Sequence, residues 1–131
     1  MKKFIKIKCI VTLVLILSIT SSISFAENTN TLNISRISGI DRYNTSVKIS
    51  EYMKTYMKPY KNIVVASGEL FPDAISAGIL SCHLESPLLL VKRNTIPEVV
   101  ENNIREMKNL NYTAVVGGEN TITRNVENNL S

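Results

Sequence analysis

The chain has 131 residues, 44% of them hydrophobic and 20% charged, with no Trp; that balance suits one ordinary globular domain and excludes a disordered, collagen-like or multidomain chain. Its formal charge of +4 is unevenly placed, because Lys2, Lys3, Lys6 and Lys8 stand at the start while the rest of the chain carries Lys+Arg and Asp+Glu in equal number. The basic balance therefore belongs to the leading segment, and no nucleic-acid partner is expected from it.

After those lysines comes an apolar run from Cys9 to Ile19, then small and polar residues up to Ser24-Phe25-Ala26. This is the pattern of a secretory signal peptide cleaved after Ala26. A spanning helix needs about 20 apolar residues, and Thr12, Ser18 and Thr20 interrupt this run, so membrane contact is expected only through an uncleaved leader. The expected organisation is a signal peptide at 1–26, a flexible polar leader at 27–33 and one folded unit at 34–131. Once the leader is gone Cys82 is the single cysteine, which excludes an intramolecular disulfide. In an apolar helix it reads as a small core residue.

Within the folded unit, β-rich apolar runs alternate with runs of helical spacing. Ile34–Ile37 is a short candidate strand. Ile49, Met53 and Tyr56 form a helical stripe between Asp41 and Met57, which Pro59 should end. Asn62–Ala66 (NIVVA) is a nearly continuous apolar stretch, as a strand buried on both faces requires. The segment from Pro72 to Leu84 is apolar around most of its circumference and should be the most buried helix, with Pro72 in its first turn. Pro87–Val91 (PLLLV) is a second buried strand, Ile96, Val100, Ile104 and Met107 mark an amphipathic covering helix, and Tyr112–Val116 (YTAVV) is a further strand. Ile122, Val126 and Leu130 complete the pattern as a C-terminal helix with Thr123 at its N-cap. Such alternation implies parallel strands joined by crossovers. The expected fold class is α/β, a small doubly wound, Rossmann-like parallel sheet of about four strands with helices on both faces.

In such sheets ligands meet the loops beyond the carboxyl ends of the strands. Three loops qualify: Ser38-Gly39-Ile40-Asp41-Arg42, Ser67 to Asp73, and Gly117-Gly118-Glu119-Asn120. With their flanks, RISGIDRYNTSVKIS (36–50), VVASGELFPDAISAG (64–78), SPLLLVK (86–92) and VVGGENTIT (115–123), these stretches resemble, in order and spacing, one complete type 2 cell wall binding repeat. The resemblance implies an exported, non-catalytic module that attaches noncovalently to Gram-positive walls through an anionic secondary wall polysaccharide. It also implies tandem repeats assembling as a pseudo-threefold trimer of Rossmann-like units. With one repeat in this chain, a homotrimer or association with other repeats is the expected counterpart. Arg36, Gly39, Asp41, Arg42, Tyr43, Ser67, Gly68, Phe71, Pro72, Asp73 and the Pro87–Leu90 run match the family pattern, and Ser46 stands where Ala is more usual.

The residues also have readings of their own. Gly39, Gly68, Gly117 and Gly118 suit turns with positive φ. Asp41 and Asp73 suit helix caps or dipole partners, and Arg42 suits either an ion pair with one of them or an anionic ligand. Lys92 and Arg93 fall at the carboxyl end of a buried strand, where an anionic polymer would be met. Phe71 and Tyr43 offer apolar faces to core, subunit or sugar. The binding set expected from these arguments is Arg36, Asp41, Arg42, Tyr43, Ser67, Gly68, Phe71, Asp73, Lys92, Arg93, Gly117 and Gly118.

Enzyme readings have less to stand on. His83 adjoins Cys82, and neighbours on a helix point about 100° apart, so the two form no nucleophile–base pair. There is no G-x-S-x-G elbow, Walker loop or G-x-G-x-x-G fingerprint, and too few His and Cys for zinc, so no cofactor is expected. The alternatives are a wall-glycan hydrolase using Glu69 and Asp73 as its carboxylate pair, or a structural interaction subunit, a fragment of a longer product included, that associates with other wall-binding repeats.

Overall fold

The computed structural model describes residues 32–57 and 59–131. The expected signal peptide, and all of the expected leader except Leu32 and Asn33, lie outside the described residues. The fold occupies Ser35–Ser131 and consists of α1 (Arg42–Lys54), β1 (Asn62–Ser67), α2 (Phe71–His83), β2 (Leu88–Val91), α3 (Glu98–Glu106), β3 (Tyr112–Val116) and α4 (Arg124–Leu130). The strands form one parallel sheet in the order β2-β1-β3, with Val64 opposite both Leu88 and Ala114.

Two apolar layers follow from the strand period of two. Ile63 and Val65 face one side of β1, where they pack with Leu89, Val91, Val47 of α1, Val100 of α3, Val126 of α4 and Ile122 just before it. Val64 and Ala66 face the other side, against Ala77 and Leu80 of α2. Three helices therefore cover one face and α2 alone covers the second. Residues 63–66 are completely buried, as their lack of alternation predicts for the central strand of a doubly wound sheet.

The class of fold is as expected, but the sheet has three strands. Ile34–Ile37 forms no strand; Ile34 is exposed, so the run buries no face that would hold it on a sheet edge. The outer edge of β2 is in part already occupied, since the Leu90 N–H donates to Ser46 Oγ at 3.2 Å. That hydroxyl in turn donates to the Tyr43 carbonyl at 2.7 Å.

Three expectations about helix faces are overturned. Helix α2 is not the most buried helix: Ala77 is its one buried residue, whereas Phe71, Ile75 and Ile79 are 76%, 65% and 76% exposed. It lies on the sheet through its small residues and turns its large ones outward. Cys82 shares that outward side and is exposed. On α1 the buried positions are Ser46, Val47 and Ser50, while Ile49 and Tyr56 are exposed, and the helix ends at Lys54, before Pro59 can act.

Candidate functional site

The loops at the carboxyl ends of the strands are organised by the first turn of α1. Asp41 is its N-cap, with Oδ1 accepting from the Asn44 N–H at 2.7 Å, and Thr45 Oγ1 donates to the Asp41 carbonyl at 2.7 Å while accepting from the Gly39 N–H at 3.0 Å. The carboxylate thus satisfies a backbone N–H that a helix start leaves open, and the hydroxyl ties the Gly39 amide of the preceding loop to the first turn. The side chains that follow reach across to β1. Arg42 Nη1 donates to the Gly68 carbonyl at 2.6 Å, so Arg42 pairs with neither Asp41 nor Asp73. The Tyr43 ring lies against Gly68, where an added Cβ would stand 2.6 Å from Cε1. Its other neighbour is Lys92, whose Nζ is 5.9 Å from the ring centroid, a cation–π distance. Burial, and secondarily the Glu69 carboxylate, raise the Tyr43 pKa above its ordinary value.

The β1–α2 loop is held from inside. Ser67 Oγ accepts from the Glu69 and Leu70 N–H groups at 3.2 and 3.3 Å. Glu69 Oε2 accepts from the Arg93 N–H at 3.4 Å, tying this loop to the one after β2. Asp73 stands in the first turn of α2, whose N-cap is Leu70 and makes no side-chain cap bond. Asp73 is therefore a dipole partner of the helix and not its cap. Likewise Thr123 holds the N-cap position of α4 without capping it; its hydroxyl donates to the Arg93 carbonyl at 3.2 Å.

Of the four glycines expected at positive φ, Gly117 alone adopts it, at 135°. A Cβ on Gly117 would stand 2.5 Å from Thr121 Oγ1 and 2.8 Å from Asp73 Oδ2. Gly39 and Gly68 are required by close approach instead, to Asn44 and Tyr43, whereas a Cβ on Gly118 would meet no neighbour. The crevice between the β1 and β3 loops is the switch point at which doubly wound sheets commonly bind ligands. Here Asp73 and Thr121 close in on Gly117 at that point. Thr121, whose hydroxyl donates to the Gly118 carbonyl at 2.9 Å, was not among the expected site residues; its place three positions after a glycine was the available signal.

The structure therefore brings Arg42, Tyr43, Ser67, Gly68, Lys92 and Arg93 together through α1, β1 and β2, and Asp73 with Gly117 through α2 and β3. Arg36 lies exposed in the chain before α1, and Phe71 belongs to the exposed side of α2. Glu69 and Asp73 face different partners, the Arg93 amide and the Gly117 turn. Among the described residues no group of three His, Cys, Asp or Glu side chains could hold a metal ion.

These features define a small α/β domain that presents an open, polar loop surface. The chain belongs to the Cell wall binding domain 2 (CWB2) family, whose sequence pattern matches residues 36–127. It is 28% identical over 130 residues to N-acetylmuramoyl-L-alanine amidase LytC of Bacillus subtilis, covering 99% of this chain and 24% of that protein. The chain thus spans about a quarter of the length of this curated relative. Among solved structures it is similar in fold to Cwp6 from Clostridium difficile, with a TM-score of 0.64 and 23% identity, over 80% of this chain and 17% of the other.

Proposed function

We propose that this cell wall binding domain is an exported, non-catalytic attachment module that holds an anionic secondary polysaccharide of the Gram-positive wall. The observation that carries the reading is the family match across 36–127. The loop cluster supports it: Lys92 and Arg93 stand exposed at the end of β2, beside the Arg42–Gly68 and Tyr43–Gly68 contacts that fix the neighbouring loop. Export rests on the leader pattern at 1–26. A second copy of the chain is the proposed partner for the outward side of α2, because Phe71, Ile75 and Ile79 recur every fourth residue on a helix that covers its sheet face alone. Copies joined in this way, as a trimer, would multiply individually weak polymer contacts.

The test is co-sedimentation of the chain with purified Gram-positive walls. Binding at about 50 mM salt that weakens strongly by about 200 mM supports an anionic target; retention unaffected by salt, or none at low salt, refutes it. A second reading is a wall hydrolase, the general class of the amidase relative, with Glu69 and Asp73 as its carboxylates. Wall-degrading activity abolished by Glu69→Gln or Asp73→Asn would replace the binding reading.

A further inference from the structure

Concavities are also present away from the loop cluster. Two hollows of about 450 Å³ each open at the opposite end of the sheet, where the strands begin, a volume within the roughly 300–1,000 Å³ range of ligand sites. One lies between the ends of α1 and α3, with Lys54 and Lys108 on its rim; the other reaches Lys61; Met57, Pro59 and Tyr60 line both.

The chemistry of this end has two parts. Its floor is apolar: Met57 and Pro59 are exposed, and the buried Tyr60 closes the base behind them with its hydroxyl committed to the Ser50 carbonyl at 3.2 Å. Tyr52 near the end of α1 and Tyr56 in the turn that follows it are exposed, with ring centroids 5.0 Å apart and planes tilted by 51°. Its rim is cationic. Lys54, Lys61 and Lys108 belong to none of the ion pairs among the described residues, and the carboxylates lining the hollows are Glu85 and Glu106.

We propose that the strand-N-terminal end is a second contact surface for an acidic glycan, with sugar rings against the Met57–Pro59–Tyr60 floor and negative groups on Lys54, Lys61 and Lys108. A neutral sugar would leave the ammonium groups without counter-charge, and a ringless polyanion would leave the floor uncovered. The choice of a glycan rests on the wall-attachment reading; the location rests on the hollows and the unpaired lysines.

The test uses the ¹⁵N-labelled full chain titrated with polygalacturonate oligomers, their methyl esters and inorganic polyphosphate. Polygalacturonate is expected to shift amides around 52–61 and 106–111, more tightly than either control, and Lys54→Glu/Lys108→Glu to weaken it roughly fivefold to tenfold. Lys92→Glu/Arg93→Glu serves as the control at the other end and should leave those shifts in place. Shifts confined to the loop cluster, an unchanged affinity in Lys54→Glu/Lys108→Glu, or no shifts at all would overturn the proposal. If the chain ignores purified walls yet shows the expected shifts, wall attachment fails and this surface stands. If it sediments with walls but shows no shift at this end, the surface fails and wall attachment stands.

Discussion

Gly117 and Glu85 show how differently two residues with positive φ are supported. At Gly117 the conformation and the surroundings agree, since a side chain would meet both Thr121 and Asp73. Gly117→Ala should therefore destabilise the fold by about 1–3 kcal/mol, read as a lowered denaturant midpoint. Glu85 has φ 46° after the last turn of α2, where the Ser86 N–H reaches the Ser81 carbonyl at 3.1 Å and the Glu85 N–H reaches that of Cys82 at 3.2 Å. This is the Schellman arrangement, in which glycine is the usual occupant. Glu85→Gly is expected to raise stability by about 0.5–1 kcal/mol. Tyr60 supplies a pH signature, because burial raises its pKa. The unfolded chain releases that proton first as pH climbs past the ordinary tyrosine value of about 10, so stability should be intact below that point and fall above it. Alkaline denaturation of Tyr60→Phe should begin at higher pH than in the unaltered chain.

Among the elements, β1 and α2 mark what apolar pattern can and cannot convey. A run such as Ile63-Val64-Val65-Ala66 has no polar face, so burial on both sides was legible from its letters. Helix α2 is just as apolar, yet the absence of a polar face does not say whether a helix is surrounded by its own chain or by something else. The small residues around Ala77 let the helix settle on β1, and the outward side was left to Phe71, Ile75 and Ile79. For the same reason Cys82 was misread as core. The loop residues were legible as a set because turn and capping chemistry is local, as with Asp41. Their partners were not: Arg42 finding the Gly68 carbonyl depends on packing between elements distant in sequence. An Ile75→Glu/Ile79→Glu chain should fold with unchanged denaturant stability, since both side chains are exposed. If α2 is the self-association surface, analytical ultracentrifugation should show that chain as a monomer at concentrations where the unaltered protein associates. Val100→Ala, inside the three-helix layer, should instead lower stability by about 2 kcal/mol.

For the molecule as a whole, the two sheet faces are unequally dressed. The face under α1, α3 and α4 holds the larger apolar cluster, and α2 covers the other alone. A domain of this size buries a modest share of its surface, and association over α2 would add to it. A concentration-dependent thermal midpoint in the unaltered chain, absent in Ile75→Glu/Ile79→Glu, is the expected sign.

The serine bridging α1 and β2 bears on how many copies can be joined, and how. With the Leu90 amide already engaged by Ser46, the outer margin of β2 offers an incoming strand one fewer donor, so lateral extension of the sheet into a ribbon is discouraged there. Association of copies over α2, as proposed above, would then run helix to helix. Replacing Ser46 by alanine would leave the Leu90 N–H without this partner and return that donor to the sheet edge.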